Sequence, residues 1–157
     1  MSQDNPAMNP VEHLQQVLHR DIPLTAHMQM QVLSWHDHVL RLRLPLDPNV
    51  NHKNTMFGGS LYCGAVLAGW GWLYLSLRDA GIEDGHIVIQ EGQVSYPQPV
   101  RGAGIAECEM PDATVWQRFI TTYQRRGRAR ITLHTRIINE GCDAAAVEFS
   151  GQFVLHR

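Results

Sequence analysis

The segment from Asn51 to Ser60 combines residue types that could bind and polarise a carbonyl oxygen. Gly58 and Gly59 stand together where a long apolar stretch begins. Glycine at a helix start lets a ligand approach backbone N–H groups that have no partner within the helix. The helix dipole adds partial positive charge at the same place, which would stabilise an oxygen that becomes negative in a transition state. The structural alternative is that both glycines only permit close helix packing.

Three polar side chains near the two glycines are candidate catalytic groups. Asn51 is the first candidate, because its neutral amide can donate a hydrogen bond to a carboxylate or an enolate without ionising. Asn49 is the nearby alternative, and Ser60 could donate its hydroxyl from the first helical turn. Each has a structural alternative, because Asn often braces turns and Ser often bonds to the backbone at helix ends.

Three further residues would form the wall of such a pocket, namely Phe57, Cys63 and Val66. Cys63 is also a weak candidate for a nucleophile, although free cysteines are commonly buried and inert. Base-catalysed hydrolysis needs a carboxylate or an imidazole near the reacting water. Neither Phe57 nor Val66 can supply that base.

Periodicity and capping signals predict the elements that position these residues. A capped helix begins at Asn9, and a long apolar helix follows the loop Pro45 to Phe57. Asp112 caps a second amphipathic helix, which Gly127 ends. The predicted strands are Met28 to Leu33, Val39 to Leu46, His86 to Tyr96, Gly102 to Met110, Arg128 to Asn139 and Ala144 to Leu155. Short connections favour an antiparallel sheet wrapped around the long helix, an α+β fold.

Composition bounds the class of protein. The chain has 157 residues, a formal net charge of −2 and three cysteines, which indicates one domain with reduced thiols in a cytoplasm. We expect an N-terminal extension with a short helix over residues 1–27 and the main domain over residues 28–157. The start has no signal-peptide pattern, and the long apolar stretch is interpreted as a buried helix rather than a membrane span. His36 and His38 are the only close histidine pair, so no metal site is expected.

Four arginines form the one basic cluster, and they are Arg125, Arg126, Arg128 and Arg130. This cluster could contact the acidic surface of a carrier protein or the phosphates of a pantetheine-bearing cofactor. The alternative is dipole complementation at a helix C-terminus together with a solvated strand face. A nucleic-acid role is not expected, because no aromatic stacking platform accompanies the charges.

Three motifs in this order resemble the hotdog thioesterase superfamily. They are Asn51-x-x-Asn54-x-x-Phe57-Gly58-Gly59, Tyr96-Pro97-x-Pro99-x-x-Gly102 and Gly127-Arg128. A longer set of matches is similar to the YiiD C-terminal family, which includes stand-alone malonyl-acyl carrier protein decarboxylases. That set is Pro45-Leu46-x-Pro48-Asn49-x-Asn51, Thr55-x-Phe57-Gly58-Gly59-Ser60 and Leu67-Ala68-Gly69-Trp70-Gly71. The stand-alone form is the expected match.

The chain departs from the superfamily pattern where hydrolysis would need a base. Phe57 occupies the usual histidine position, and Val66 occupies the usual acidic position. The resemblance therefore implies a hotdog homodimer or higher homo-oligomer that decarboxylates malonyl-acyl carrier protein to its acetyl form. Neither a metal nor an organic cofactor is needed. In hotdog dimers the third strand borders the partner's pocket, so Gln90 and Glu91 could enter it.

Two alternatives remain open. Glu91 or a loop residue could act as the base of a thioesterase, or the protein could bind acyl thioesters without turning them over.

Overall fold

The computed structural model describes residues 8–157. The helices are α1 (Pro10–Asp21), α2 (Leu24–His27), α3 (Gly58–Asp79) and α4 (Ala113–Arg126), and a 3-10 turn covers Asp47–Asn49. The strands are β1 (Gln31–His36), β2 (Val39–Leu44), β3 (His86–Ser95), β4 (Gly104–Cys108), β5 (Arg128–Asn139) and β6 (Ala145–His156). The elements thus follow the predicted order, with α2 and the 3-10 turn as additions.

The predicted helix caps are confirmed. The Asn9 side chain accepts a hydrogen bond from the Glu12 amide at 2.9 Å, and the Asp112 carboxylate accepts one from the Thr114 amide at 2.8 Å. Gly127 ends α4 with a φ of 70°, a left-handed conformation that glycine adopts without strain. Apolar residues of α1, among them Leu14 and Leu18, pack into the same core as the sheet.

The first hairpin differs from its prediction. A strand from Met28 was expected, but Leu24–His27 is helical and β1 begins only at Gln31. The chain turns between β1 and β2 at Asp37 and His38, whose φ angles are 49° and 58°. Two positive φ angles in a two-residue loop suit the twist of a tight hairpin. Strand β1 therefore continues to His36, through residues that were expected in the turn.

The six strands form one antiparallel sheet in the order β1-β2-β4-β5-β6-β3. The predicted antiparallel α+β fold is confirmed. Strands β3 and β4 follow one another in sequence but do not pair, because β4 lies between β2 and β5 while β3 pairs with β6. Strand β3 is therefore an edge of the sheet, and its Val88 and Ile89 side chains are exposed.

Helix α3 packs against one face of the sheet, in contact with five of its strands, and its glycines allow a close approach. A Cβ atom on Gly69 would lie 2.7 Å from Cζ of Phe153, and one on Gly64 would lie 2.9 Å from Cδ1 of Leu44. Helix α3 is long and apolar enough to cross a membrane by length and composition, but 67% of its most apolar window is buried inside the domain. It is the central helix of a hotdog fold.

Candidate active site

The loop before α3 is held by Asn49. This side chain is only 3% exposed. Its Nδ2 group donates to the carbonyl oxygens of Met28 at 2.9 Å and Pro45 at 2.8 Å. The backbone carbonyl of Asn49 accepts a hydrogen bond from the Phe57 amide at 2.7 Å. Both amide protons of Asn49 are thus engaged with backbone carbonyls, so the structure favours its bracing role over its candidate catalytic role.

Asn51 is half-buried and organises the next turn of the loop. Its Oδ1 accepts from the amides of Lys53 at 2.8 Å and Thr55 at 3.1 Å. Its Nδ2 donates to Oγ1 of Thr55 at 2.8 Å, and lies 3.5 Å from the Met56 carbonyl oxygen. A separation of 3.5 Å is at the limit of a hydrogen bond. One amide proton of Asn51 is therefore weakly held and remains able to donate to a ligand.

The loop delivers Phe57 to the first turn of α3. Val50 and Met56 form a bridge across the loop, and the Met56 amide donates to the Val100 carbonyl oxygen at 2.8 Å. Phe57 then occupies the N-cap position with φ −62° and ψ 133°, and no side chain caps the helix. The amides of Gly58, Gly59 and Ser60, the first residues of α3, have no acceptor four residues back within the helix. They form a group of donors with the positive end of the helix dipole behind them.

Two aromatic rings flank these amides. The Phe57 ring occupies the space that a Cβ atom on Gly59 would need, so a side chain at that position would require the ring to move. The Tyr96 ring lies 3.7 Å from the corresponding point on Gly58, and its hydroxyl donates to the Gly58 carbonyl oxygen at 3.0 Å. Both rings are about half exposed, at 57% for Phe57 and 47% for Tyr96. The sequence contained Tyr96 in a motif, but its contact with α3 was not predicted.

An apolar stripe continues from this point along α3. Cys63, Val66, Trp70 and Tyr74 recur at helical spacing, and all four are half-buried. The Trp70 and Tyr74 rings stack at a centroid distance of 5.4 Å. Burial raises the pKa of the Cys63 thiol, which keeps it protonated at neutral pH and makes it a poor nucleophile. Phe57 and Val66 thus lie beside the amide donors and along the stripe, and neither carries a base.

Glu91 points away from this site within the chain. A β-bulge at Gln90 separates the pair Ile89–Phe153 from the pair Glu91–Gln152. The neighbouring Gly92 lies against the Tyr62 hydroxyl of α3. Successive strand residues face opposite sides, so Glu91 lies on the outer face of the sheet.

The arginine cluster lies near the opposite end of α3. Arg128 of β5 pairs with His156 of β6, and His156 pairs in turn with His86 of β3. At the other end of these strands, Arg136 lies level with Ser95, because both pair with Glu148. Arg128 and Arg136 are therefore separated by roughly 27 Å along β5. The side chains of Arg125, Arg126, Arg128 and Arg130 are all exposed. Arg157 is a fifth basic residue at this end, where it donates to Asp84 at 2.8 Å.

A cavity of about 880 Å³ lies elsewhere, on the outer face of the sheet. Its lining includes Glu107, which is 3% exposed and accepts from Arg41 at 2.8 Å and Arg136 at 3.0 Å. None of the predicted site residues lines it. Within residues 8–157, no group of three or more His, Cys, Asp or Glu side chains could hold a metal ion.

Comparisons with known proteins agree with this fold. A family model described as "Putative thioesterase (yiiD_Cterm)" matches residues 11–157. A protein of unknown function from Chlorobaculum tepidum TLS is 34% identical, with a TM-score of 0.89 over 94% of each chain. A structure named "putative thioesterase" from Shewanella oneidensis is 30% identical, with a TM-score of 0.83 over 94% of this chain and 98% of that one. A Pseudomonas aeruginosa structure shares the fold at 22% identity and a TM-score of 0.79.

Proposed function

Because the chain belongs to the YiiD C-terminal family of hotdog proteins, we propose that it binds an acyl thioester at the start of α3 and decarboxylates malonyl-acyl carrier protein to acetyl-acyl carrier protein. One observation carries this proposal. The first turn of α3 presents uncapped amide donors, while the flanking Phe57 and the nearby Val66 offer no group that could activate water.

Decarboxylation needs stabilisation of charge but no base. The bond between the α-carbon and the malonyl carboxylate breaks, neutral carbon dioxide leaves, and the electron pair moves into the thioester as an enolate. In the proposal the enolate oxygen accepts hydrogen bonds from the amides of Gly59 and Ser60. The α-carbon then takes a proton from water to give the acetyl thioester. Each well-placed donor in such a site contributes about 3 kcal/mol to the transition state.

Asn51 has a separate role in the proposal. Its weakly held amide proton turns from the Met56 carbonyl towards the substrate, and there it orients the malonyl carboxylate or the enolate. A neutral donor suits this role, because a negatively charged side chain would repel the carboxylate. Ser60, in the first helical turn, is proposed as a further hydroxyl donor.

Hydrolysis is the second candidate, because the family description and the Shewanella relative's name both refer to a thioesterase. A base must lie within hydrogen-bond reach of the attacking water. Glu91 is on the outer face of the sheet and Cys63 is a protonated thiol. These placements favour decarboxylation. The third candidate is binding without turnover.

We further propose that the site is completed in a homodimer. A second copy that pairs antiparallel along β3 would continue the sheet, since β3 is an open edge. A two-fold axis through that edge brings the start of β3 in one copy beside the end of β3 in the other copy. The partner's arginine cluster would then lie about three strands from the end of β3 that carries Tyr96, or roughly 15 Å across the sheet. That proximity suits contact with an acidic carrier protein or with phosphate.

One assay separates the three candidates. The protein is incubated with malonyl-acyl carrier protein, and both carbon dioxide and free carrier thiol are measured. We expect carbon dioxide without thiol. Thiol release from malonyl- and acetyl-carrier protein alike would establish hydrolysis instead, and tight binding without either product would establish a binding protein. Malonyl-coenzyme A in parallel tests the preference for the carrier.

A further inference from the structure

The hydroxyl of Tyr96 contacts the peptide group that supplies one of the proposed donors. Tyr96 follows directly after β3, and its hydroxyl donates to the Gly58 carbonyl oxygen at 3.0 Å. That carbonyl and the Gly59 N–H belong to the same planar peptide group. Tyr96 therefore bonds to one end of a dipole whose other end faces the site.

We propose that Tyr96 is a positioning residue that strengthens the Gly59 amide as a hydrogen-bond donor to the thioester oxygen. The inference rests on the proposed function, because that function places the thioester oxygen at this amide. Nothing in it depends on whether the bound thioester then loses carbon dioxide or adds water.

Two physical effects act through this contact. A hydrogen bond to a carbonyl oxygen polarises the peptide and strengthens its N–H as a donor, by roughly 10–30% per bond. The same bond also holds the peptide plane in one orientation, so the donor needs no reorganisation when charge develops. The Phe57 ring lies beside Gly59, in the space that a Cβ atom there would need.

Tyr96 is in the right protonation state for this role. Burial raises the pKa of Tyr96, and the neighbouring Tyr62 and Cys63 add smaller contributions in the same direction. The phenol therefore stays protonated at neutral pH and donates. Since the Gly58 carbonyl also accepts within α3, the tyrosine provides a second bond at an oxygen with two lone pairs.

Removing the hydroxyl alone tests the inference. In Tyr96→Phe we expect kcat to fall about 1.6- to fourfold with KM unchanged. This is the effect of weakening, by roughly 10–30%, a donor that contributes about a hundredfold to the rate. The amide proton resonance of Gly59 should move upfield. Tyr123→Phe is the matched control, because it removes a hydroxyl that donates to Asp84 at 2.9 Å from α4, away from the start of α3. It should change neither kcat nor the Gly59 resonance.

A graded series keeps the test decisive if Tyr96→Phe folds poorly. Monofluorinated and difluorinated tyrosine at position 96 keep the ring and make the phenol a stronger donor. At a pH below its ionisation, kcat should rise and the Gly59 resonance should move downfield as the phenol becomes more acidic. An unchanged Gly59 resonance across the series, or an effect confined to KM, would overturn the inference. Absence of carbon dioxide release by the unaltered protein would instead contradict the proposed decarboxylation, and the resonance would still decide the role of Tyr96.

Discussion

Helices α4 and α3 begin in opposite ways within one domain. At α4 the Asp112 carboxylate caps the first turn and bonds the Thr114 amide at 2.8 Å. At α3 the corresponding position is Phe57, which has no polar side chain and caps nothing. Both N-cap residues adopt an extended backbone, with ψ near 135° in each case. The geometry would accept a capping side chain at either helix, so the difference lies in the residue type.

Burial explains how α3 remains stable without a cap. Trp72, Leu73 and Ala65 on α3 are fully buried. A cap contributes about 1 kcal/mol, whereas burial of one large apolar side chain contributes about 1.5–3 kcal/mol. Helix α4 is amphipathic, with its buried side chains on one face, so its first turn depends more on local hydrogen bonds. The comparison teaches that a deeply packed helix can leave its first amides available for a ligand.

Adding a cap to α3 should have the largest effect. In Phe57→Asp, the new carboxylate would accept from the first-turn amides and would also repel the malonyl carboxylate. We expect the unfolding free energy to rise by about 1 kcal/mol and kcat to fall by about 10²–10³-fold, as when an oxyanion donor is lost. Chemical denaturation and carbon dioxide release measure the two quantities.

Phe57→Ala is the matched control for that variant, because it removes the ring without adding a cap. It should keep far more activity than Phe57→Asp. Equal loss of activity in both variants would show that the ring matters rather than the free amides. Retained activity in Phe57→Asp would mean that these amides do not bind the substrate.

Asn51 offers the next test, because its donor and acceptor halves can be separated. Asn51→Asp keeps the acceptor for the amides of Lys53 and Thr55, but it loses the donor and adds charge. We expect a fall in kcat of about a hundredfold in Asn51→Asp and in Asn51→Ala. Circular dichroism should show that both variants are folded. Near-normal decarboxylation in Asn51→Asp would contradict the argument about charge.

Asn49→Ala is the counterpart within the same loop. It leaves the buried carbonyl of Met28 and the half-buried carbonyl of Pro45 without their donor, which costs about 1–3 kcal/mol. Its activity per folded molecule should be preserved at low temperature. If Asn49→Ala abolishes turnover while Asn51→Ala does not, the assignment within the loop is wrong.

Removing the cap of α4 should have the smallest effect. Asp112→Ala should lower the unfolding free energy by about 1 kcal/mol and the Tm by roughly 2–4 °C, with kcat unchanged. Asp112→Asn should keep most of the stability, because asparagine is also a good N-cap. Thermal unfolding and the decarboxylation assay measure both. A large loss of activity in Asp112→Ala would contradict the view that the start of α3, and not that of α4, binds the substrate.

Features with local causes were predictable from the sequence. The caps at Asn9 and Asp112 and the stop at Gly127 depend on residues within one turn. The long apolar helix and the closing hairpin follow from runs of side chains alone. The failure at Met28 is also instructive. Met28 and Met30 alternate with Gln29 and Gln31 as in a half-buried strand, but the chain turns at Gln29, whose φ is 54°.

Features set by distant contacts were not predictable. The edge position of β3 depends on its pairing with β6, far along the chain. The face of the sheet on which Glu91 lies depends on one extra residue at Gln90, because a single-residue shift in register moves a side chain to the other face. The bracing of Asn49 depends on Met28, and the contact of Tyr96 with Gly58 joins β3 to α3. The sequence therefore identified the residue types of the site, but not the contacts that these residues make.

The open edge at β3 also has a consequence for a single copy of the protein. A newly folded single copy exposes ten residues of strand with unpaired backbone groups, including the exposed side chains of Val88 and Ile89. Such an edge accepts any extended segment that can pair with it. Glycine at position 92 and charge at Glu91 interrupt the apolar run of this strand. Selection against aggregation in crowded, newly made chains would thus act on the residues of this edge as well as on those of the site.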